Sequence, residues 1–123
     1  MSDKKHILVV DDEEALCSAL KTKFELKDYT VDVCHDGTEA LQKMAEQVFD
    51  VVLLDIVMKN EDGYGVLQKR GATRNAKTPI YVITNLGKEE DCDKAKELGA
   101  LDCFVKSRVP LKDVVEAVDA ALA

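Results

Sequence analysis

The chain has 123 residues, 46% of them hydrophobic and 33% charged, which suits one compact domain over residues 1–123 and leaves no length for a second. A formal net charge of −7 with no concentrated basic patch argues against direct binding to nucleic acid or to an anionic membrane. The opening residues MSDKKH are polar and no apolar run reaches spanning length, so neither a signal peptide nor an anchor is expected and the location expected is cytoplasmic.

In chain order, Ile7 to Val10 is a nearly continuous apolar run, as expected of a strand covered on both faces, and it runs straight into Asp11 and Asp12. Leu16, Leu20 and Phe24 then share a helical face. Val31 to Cys34 alternates apolar and polar residues, which predicts a strand with one face less covered. From Gly37 to Gln47 a helix is expected with Ala40, Leu41 and Met44 inward, capped by Asp36 or Thr38. Val51 to Leu54 is a second continuous apolar strand and ends in Asp55, a carboxylate that is costly to desolvate on so apolar a segment.

Ile80 to Ile83 is the third such strand and ends in Thr84. The helix from about Lys88 to Leu98 is highly charged, with only Cys92, Ala95 and Leu98 as a thin apolar stripe, so it is expected to pack lightly and to move readily. Leu101 to Val105 is mixed, as at a sheet edge, and is followed by Lys106. Leu111, Val114, Val115, Val118 and Leu122 mark the last helix; this stripe and the first helix's are read as core contacts rather than partner surfaces. The four cysteines, Cys17, Cys34, Cys92 and Cys103, lack the short paired spacings of zinc or redox motifs and are expected to be free thiols in a reducing compartment.

Strands alternating with helices predict an α/β domain around a parallel sheet. Right-handed crossovers, with the two mixed strands at the edges, give a flavodoxin-like five-stranded parallel sheet of order 2-1-3-4-5 flanked by five helices. Ligands of such sheets bind beyond the carboxyl ends of the strands. Those ends deliver Asp11 and Asp12, Asp55, Thr84 and Lys106 to one rim. Each has a bland explanation taken alone: the aspartates as helix caps, the threonine as a strand end, the lysine as a surface ion pair. Together they suggest chemistry, because three clustered carboxylates repel one another and call for a cation, and oxygen-only ligands suit Mg2+.

On these residues the chain resembles the receiver domain of bacterial two-component response regulators over essentially its whole length. The resemblance rests on the Asp11-Asp12 pair, on Asp55 followed by Met58 and Gly63, on Thr84, and on Lys106 after GALDCFV. It implies that Asp55 is the phospho-acceptor for a phosphohistidine on a sensor histidine kinase or phosphotransfer protein. It also implies that Asp12 binds Mg2+ directly and Asp11 through water, with Asp55 and the backbone carbonyl of Val57 completing the ligands. Thr84 and Lys106 would meet the phosphoryl oxygens. Thr84 and a residue of the fifth strand would then act as a switch, altering the surface of the fourth helix, fifth strand and fifth helix toward a downstream target protein. The chain would be a signalling phospho-acceptor that catalyses only its own phosphorylation and dephosphorylation. If Ala123 is the natural end, the chain would resemble the stand-alone, chemotaxis-regulator-like members; if it is a piece of a longer regulator, a further domain would carry the output.

Several positions depart from the family pattern. The aromatic switch position, three before Lys106, is Cys103, and Phe104 is no substitute because adjacent strand residues face opposite ways. Ser107 replaces a proline preceded by a cis bond, so either a trans bond or a strained cis bond is expected after Lys106. Lys59 replaces a proline after Met58, and Asn85 stands where a small residue is usual, either narrowing access to Asp55 or adding a hydrogen bond. Val57 and Leu86 occupy positions that often orient hydrolytic water, so slow self-dephosphorylation is expected. Gly63, Gly87 and Gly99 are expected at turns needing unusual backbone angles. Two other functions compete: a phosphorylation-independent receiver-like interaction module, and an aspartyl-phosphate phosphohydrolase. Val57 stands where the latter needs its acid-base aspartate. A flavin site would need a hydroxyl-rich loop after the first strand, which is missing.

Overall fold

The computed structural model describes residues 4–122; Met1 to Asp3 and Ala123, which include the start of MSDKKH and the chain's last residue, lie outside the described residues. Five parallel strands, β1 (His6–Val10), β2 (Thr30–Cys34), β3 (Val51–Leu54), β4 (Ile80–Thr84) and β5 (Asp102–Val105), pair in the order β2-β1-β3-β4-β5. The predicted order and flavodoxin-like class are both observed. Four helices connect them, α1 (Glu14–Glu25), α2 (Gly37–Glu46), α3 (Gly63–Lys69) and α4 (Glu89–Glu97), with a 3-10 turn at Arg70–Ala72 after α3, and a fifth, α5 (Leu111–Leu122), follows β5.

The period of two along each central strand splits the core into two halves. Leu8 and Val10, Val52 and Leu54, and Ile80 and Val82 face α2, α3 and α4 through Ala40, Met44, Val66, Leu67 and Ala95. Ile7 and Val9, Val51 and Leu53, and Tyr81 and Ile83 face α1 and α5 through Leu20, Phe24, Val114, Val115 and Val118. All four residues of β3 are fully buried, each stabilising the fold by about 1.5–3 kcal/mol relative to exposure. The predicted inner face of α1 gains a residue, since Cys17 is buried beside Leu20 and Phe24 whereas Leu16 is only half-buried.

Asp36 caps α2, accepting from Glu39 N at 2.8 Å. Below the sheet, fully buried Asn75 accepts from Phe49 N at 2.8 Å and donates to the carbonyls of Met44 and Gln47 at 2.7 and 2.8 Å. One amide thus fastens the end of α2 to the approach to β3.

The glycine expectation is corrected in part. Only Gly99, at the end of α4, has a positive φ, +113°. Gly63 is required for space: a Cβ there would lie 2.3 Å from the carbonyl oxygen of Asp55, so α3 can start against the acidic strand end only with glycine. Gly87 meets neither constraint.

The cysteine expectation is also corrected. Cys17 and Cys34 are free, but Cys92 on α4 and Cys103 on β5 form a disulfide. The crossover folds α4 back against the strand that follows it, bringing the two Cα atoms to 5.5 Å, inside the range a disulfide needs. A separation of 11 residues carries no motif by which sequence could announce this pair.

Candidate functional site

Each strand end delivers its side chain to the rim because the backbone stays in register up to the last residue. Asp11 N donates to Cys34 O at 3.1 Å and Asp55 N to Val10 O at 2.9 Å, so both aspartates are still tied to the neighbouring strand as β1 and β3 end. Lys106 N donates to Thr84 O at 2.7 Å, doing the same for the fifth strand.

The structure brings together the carboxylates of Asp11, Asp12 and Asp55, with one oxygen of each within 4.8 Å of the others. Asp11 and Thr84 are fully buried and Asp55 is 4% exposed, whereas Asp12 faces solvent. Lys106 Nζ lies 2.7 Å from Asp11 Oδ2, 2.9 Å from Glu13 Oε1 and 3.6 Å from Asp55 Oδ2. Asp11 Oδ1 accepts from Glu13 N at 2.9 Å, and Asp55 Oδ1 accepts from Ile56 N at 2.8 Å. Thr84 Oγ1 accepts from Leu86 N at 3.1 Å, which leaves its O–H to donate elsewhere.

One ammonium against this many carboxylates leaves the rim short of positive charge. Burial, and then the charge of Asp11, push the Asp55 carboxyl up from 3.8 to about 6. Burial also raises Asp11, against the pull of Lys106 and the Glu13 amide. Lys106 is itself raised: burial works against its charge, but the hydrogen bonds to Asp11 and Glu13 and the nearby Asp55 outweigh that. A group of hard oxygen ligands with unmet negative charge fits a divalent cation such as Mg2+.

Of the remaining predicted residues, Val57 lies on the exposed loop after Asp55, and Leu86 is half-buried against the core. Cys103 packs toward the α2–α4 side and Phe104 toward the α1–α5 side, where it stacks on Tyr81 at 6.0 Å between ring centres. The Lys106–Ser107 bond is trans, so of the two expected forms the unstrained one is present. Asn85 makes a hydrogen bond rather than closing the rim, donating to Glu13 Oε1 at 3.4 Å. Glu13 is the residue sequence reasoning missed. It holds Lys106, and the available signal is its place immediately after Asp11-Asp12, within reach of the same rim.

A family model described as the response regulator receiver domain matches residues 7–119. The chain is 38% identical over 110 residues to a probable transcriptional regulator ycf27 of Guillardia theta, an alignment covering 89% of this chain and 42% of that protein. It spans about half the length of the curated relatives it matches. A CheY-like response regulator receiver domain protein of Methanospirillum hungatei JF-1 superposes with a TM-score of 0.88 at 26% identity, covering 98% of this chain and 94% of that one. A CheY chain in a CheX-CheY-BeF3-Mg2+ complex of Borrelia burgdorferi superposes at 0.84 with 25% identity, covering 97% and 90%.

Proposed function

Because the chain belongs to the response regulator receiver domain family, we propose that Asp55 takes a phosphoryl group from a phosphohistidine of a sensor histidine kinase or phosphotransfer protein. The observation that carries this is the buried Asp55 carboxylate, 3.6 Å from Lys106 and clustered with Asp11 and Asp12. With its carboxyl raised only to about 6, Asp55 is mostly ionised at neutral pH and retains a nucleophilic oxygen. In the transfer, the donor's phosphorus–nitrogen bond breaks as an Asp55 oxygen–phosphorus bond forms. Thr84 donates its free O–H to one phosphoryl oxygen, and Lys106 turns from Asp11 and Glu13 to another.

Asp12, Asp11, Asp55 and the backbone carbonyl of Val57 would hold Mg2+, which when bound offsets charge on the transferring oxygens. The Borrelia complex, which contains BeF3 and Mg2+, supports that assignment by likeness. Thr84, joined to α4 by residues 85–88, and Cys103 on β5 are the switch positions, and the α4–β5–α5 surface is the face offered to a downstream target. Among the described residues no helix is long and apolar enough to cross a membrane; the location proposed, as for a partner of a sensor kinase, is cytoplasmic.

The test is intact mass after incubation with a small phosphodonor and Mg2+, comparing wild type with Asp55→Asn. One added phosphoryl group, dependent on both Mg2+ and Asp55, is expected. No adduct from either a small donor or the cognate kinase, under conditions that load a control receiver, would turn the assignment to a phosphorylation-independent interaction module.

A further inference from the structure

We propose that Cys92 and Cys103 form a reversible thiol–disulfide modification site, whose oxidised state locks α4 to β5 and whose reduced state releases it. The disulfide joins a helix to the strand that follows it, across a Cα–Cα distance of 5.5 Å. Little else holds that helix. Ala95 is the only fully buried residue of α4. Tyr64 donates its hydroxyl to Asp91 O at 3.0 Å, Lys94 sits over the Tyr64 ring at 4.3 Å, and Lys96 pairs with Asp102 at 3.8 Å between half-exposed side chains. With the crosslink open, α4 is left with these contacts, one buried alanine and the half-buried Leu98 at its end.

Access separates the four cysteines two and two. Cys92 and Cys103 are half-buried, within reach of a thiol reagent. Cys17 and Cys34 are 2% and 1% exposed, and burial raises their thiols to about 11 and about 12, so they stay protonated and inert. The reagent required is a disulfide of the small-molecule or protein class. One protein thiolate attacks it, releasing one thiol and leaving a mixed disulfide; the second protein thiolate then displaces the other half. One S–S bond breaks and one forms, two electrons pass from the cysteine pair to the reagent, and the two thiol protons end on the released thiols. A dithiol runs the exchange backwards.

The crosslink sits beside the acidic rim. Cys103 lies on β5, which pairs with β4 through Val82↔Cys103 and Thr84↔Val105 and leads into Lys106, and the loop after Thr84 leads directly into α4, which carries Cys92. An α4 tethered to β5 cannot shift freely when that loop does. The oxidised chain therefore uncouples α4 from events at Asp55, a consequence that rests on the phosphoacceptor reading, whereas the thiol chemistry does not.

The experiment equilibrates the full chain in reduced or oxidised dithiothreitol, traps thiols with maleimide, and follows amide hydrogen exchange across residues 89–98. On reduction, Cys92 and Cys103 are expected to label while Cys17 and Cys34 do not, and exchange in α4 to quicken on the order of tenfold or more. Cys92→Ser is expected to show the fast exchange in both buffers. A pair that resists excess dithiol until the chain is denatured would overturn the proposal, as would α4 exchange that is the same in both states. Beryllofluoride with Mg2+ is expected to alter α4 exchange in the reduced chain only. An equal response in both redox states overturns the uncoupling while leaving the phosphoacceptor reading standing. Absence of any phosphoryl adduct in either state overturns that reading, and the coupling with it, while the labelling result stands.

Discussion

Asp55→Asn is expected to stabilise the metal-free chain at neutral pH, by an amount that follows from the burial of the carboxylate. Asp55 is 4% exposed and its carboxyl is raised from 3.8 to about 6, by burial first and the charge of Asp11 second. A group harder to ionise folded than unfolded opposes folding wherever it is charged. That opposition is absent below the unfolded value, grows as pH rises toward the folded value, and is complete above it. The shift corresponds to about 3 kcal/mol at neutral pH. Asparagine keeps an oxygen to accept from Ile56 N, which Asp55 does at 2.8 Å, and carries no charge.

Thermal unfolding in excess chelator should therefore place the variant about 10 °C above wild type at pH 7. The difference should shrink as pH falls toward about 4, because the wild type protonates and gains the same relief. Added Mg2+ should narrow the difference at neutral pH, since it binds the folded wild type in preference. A gap that does not change with pH, or a variant less stable than wild type at neutral pH, would refute the claim that the rim holds unmet negative charge.

Asn75→Ala should cost about 3 kcal/mol in a urea titration, because it strands Phe49 N and the carbonyl of Gln47 in the interior and leaves the carbonyl of Met44 with Arg74 N alone. An unchanged midpoint would show that water takes over those bonds. Val57→Asn should shorten the lifetime of the phosphorylated chain on the order of tenfold by placing a polar group beside the acyl phosphate, read as decay of the intact-mass adduct; an unaltered lifetime would show that Val57 is not what shields it. Under oxidising conditions Cys92→Ser should lower stability by about 3 kcal/mol, the chain-entropy value for a loop with a separation of 11 residues, and by far less under reduction. Equal losses in both buffers would assign the effect to packing at the helix surface instead.

The sheet was legible because burial on both faces leaves a mark in every central strand. Val51 to Leu54 and Ile80 to Ile83 have no other use for unbroken apolar runs, and the position where each run stops names the rim residue. The thin stripe of α4 was legible for the same reason, since one buried alanine asks for little in sequence. Two features stayed hidden because they depend on pairs of side chains brought together in space. Glu13 at Lys106 links residues 93 apart; its place after Asp11-Asp12 puts it at the rim, but nothing in the sequence names Lys106 as its partner. Cys92 and Cys103 become partners only after α4 has folded onto β5, whereas Cys17 and Cys34, indistinguishable from them by sequence, are each buried in a different half of the core.

Several of the departures from the family pattern fall on one flank of the molecule, whereas Val57 and Lys59 lie on the loop between β3 and α3. Asp11, Asp12, Asp55, Thr84 and Lys106 are all present and all gathered at the rim, the set that the proposed phosphoryl transfer uses. Cys103, Ser107 and Asn85 lie on the β4–α4 and β5–α5 flank, through which a change at Asp55 would reach a partner. The structure gives each a definite local role: Cys103 bonds to α4, Ser107 follows a trans peptide bond, and Asn85 reaches Glu13, which in turn holds Lys106. Asn85 and Lys106 share Glu13 Oε1, so turning Lys106 toward a phosphoryl oxygen leaves Glu13 with the asparagine alone. The loop after Thr84 is thereby tied to the position of the lysine by a route that uses no aromatic side chain. Where the family has its aromatic switch residue, at position 103, this chain has a covalent link from β5 to α4, beside a polar link from Lys106 through Glu13 to the β4–α4 loop; the first is expected to respond to thiols, as proposed above, and the second to charge at the rim.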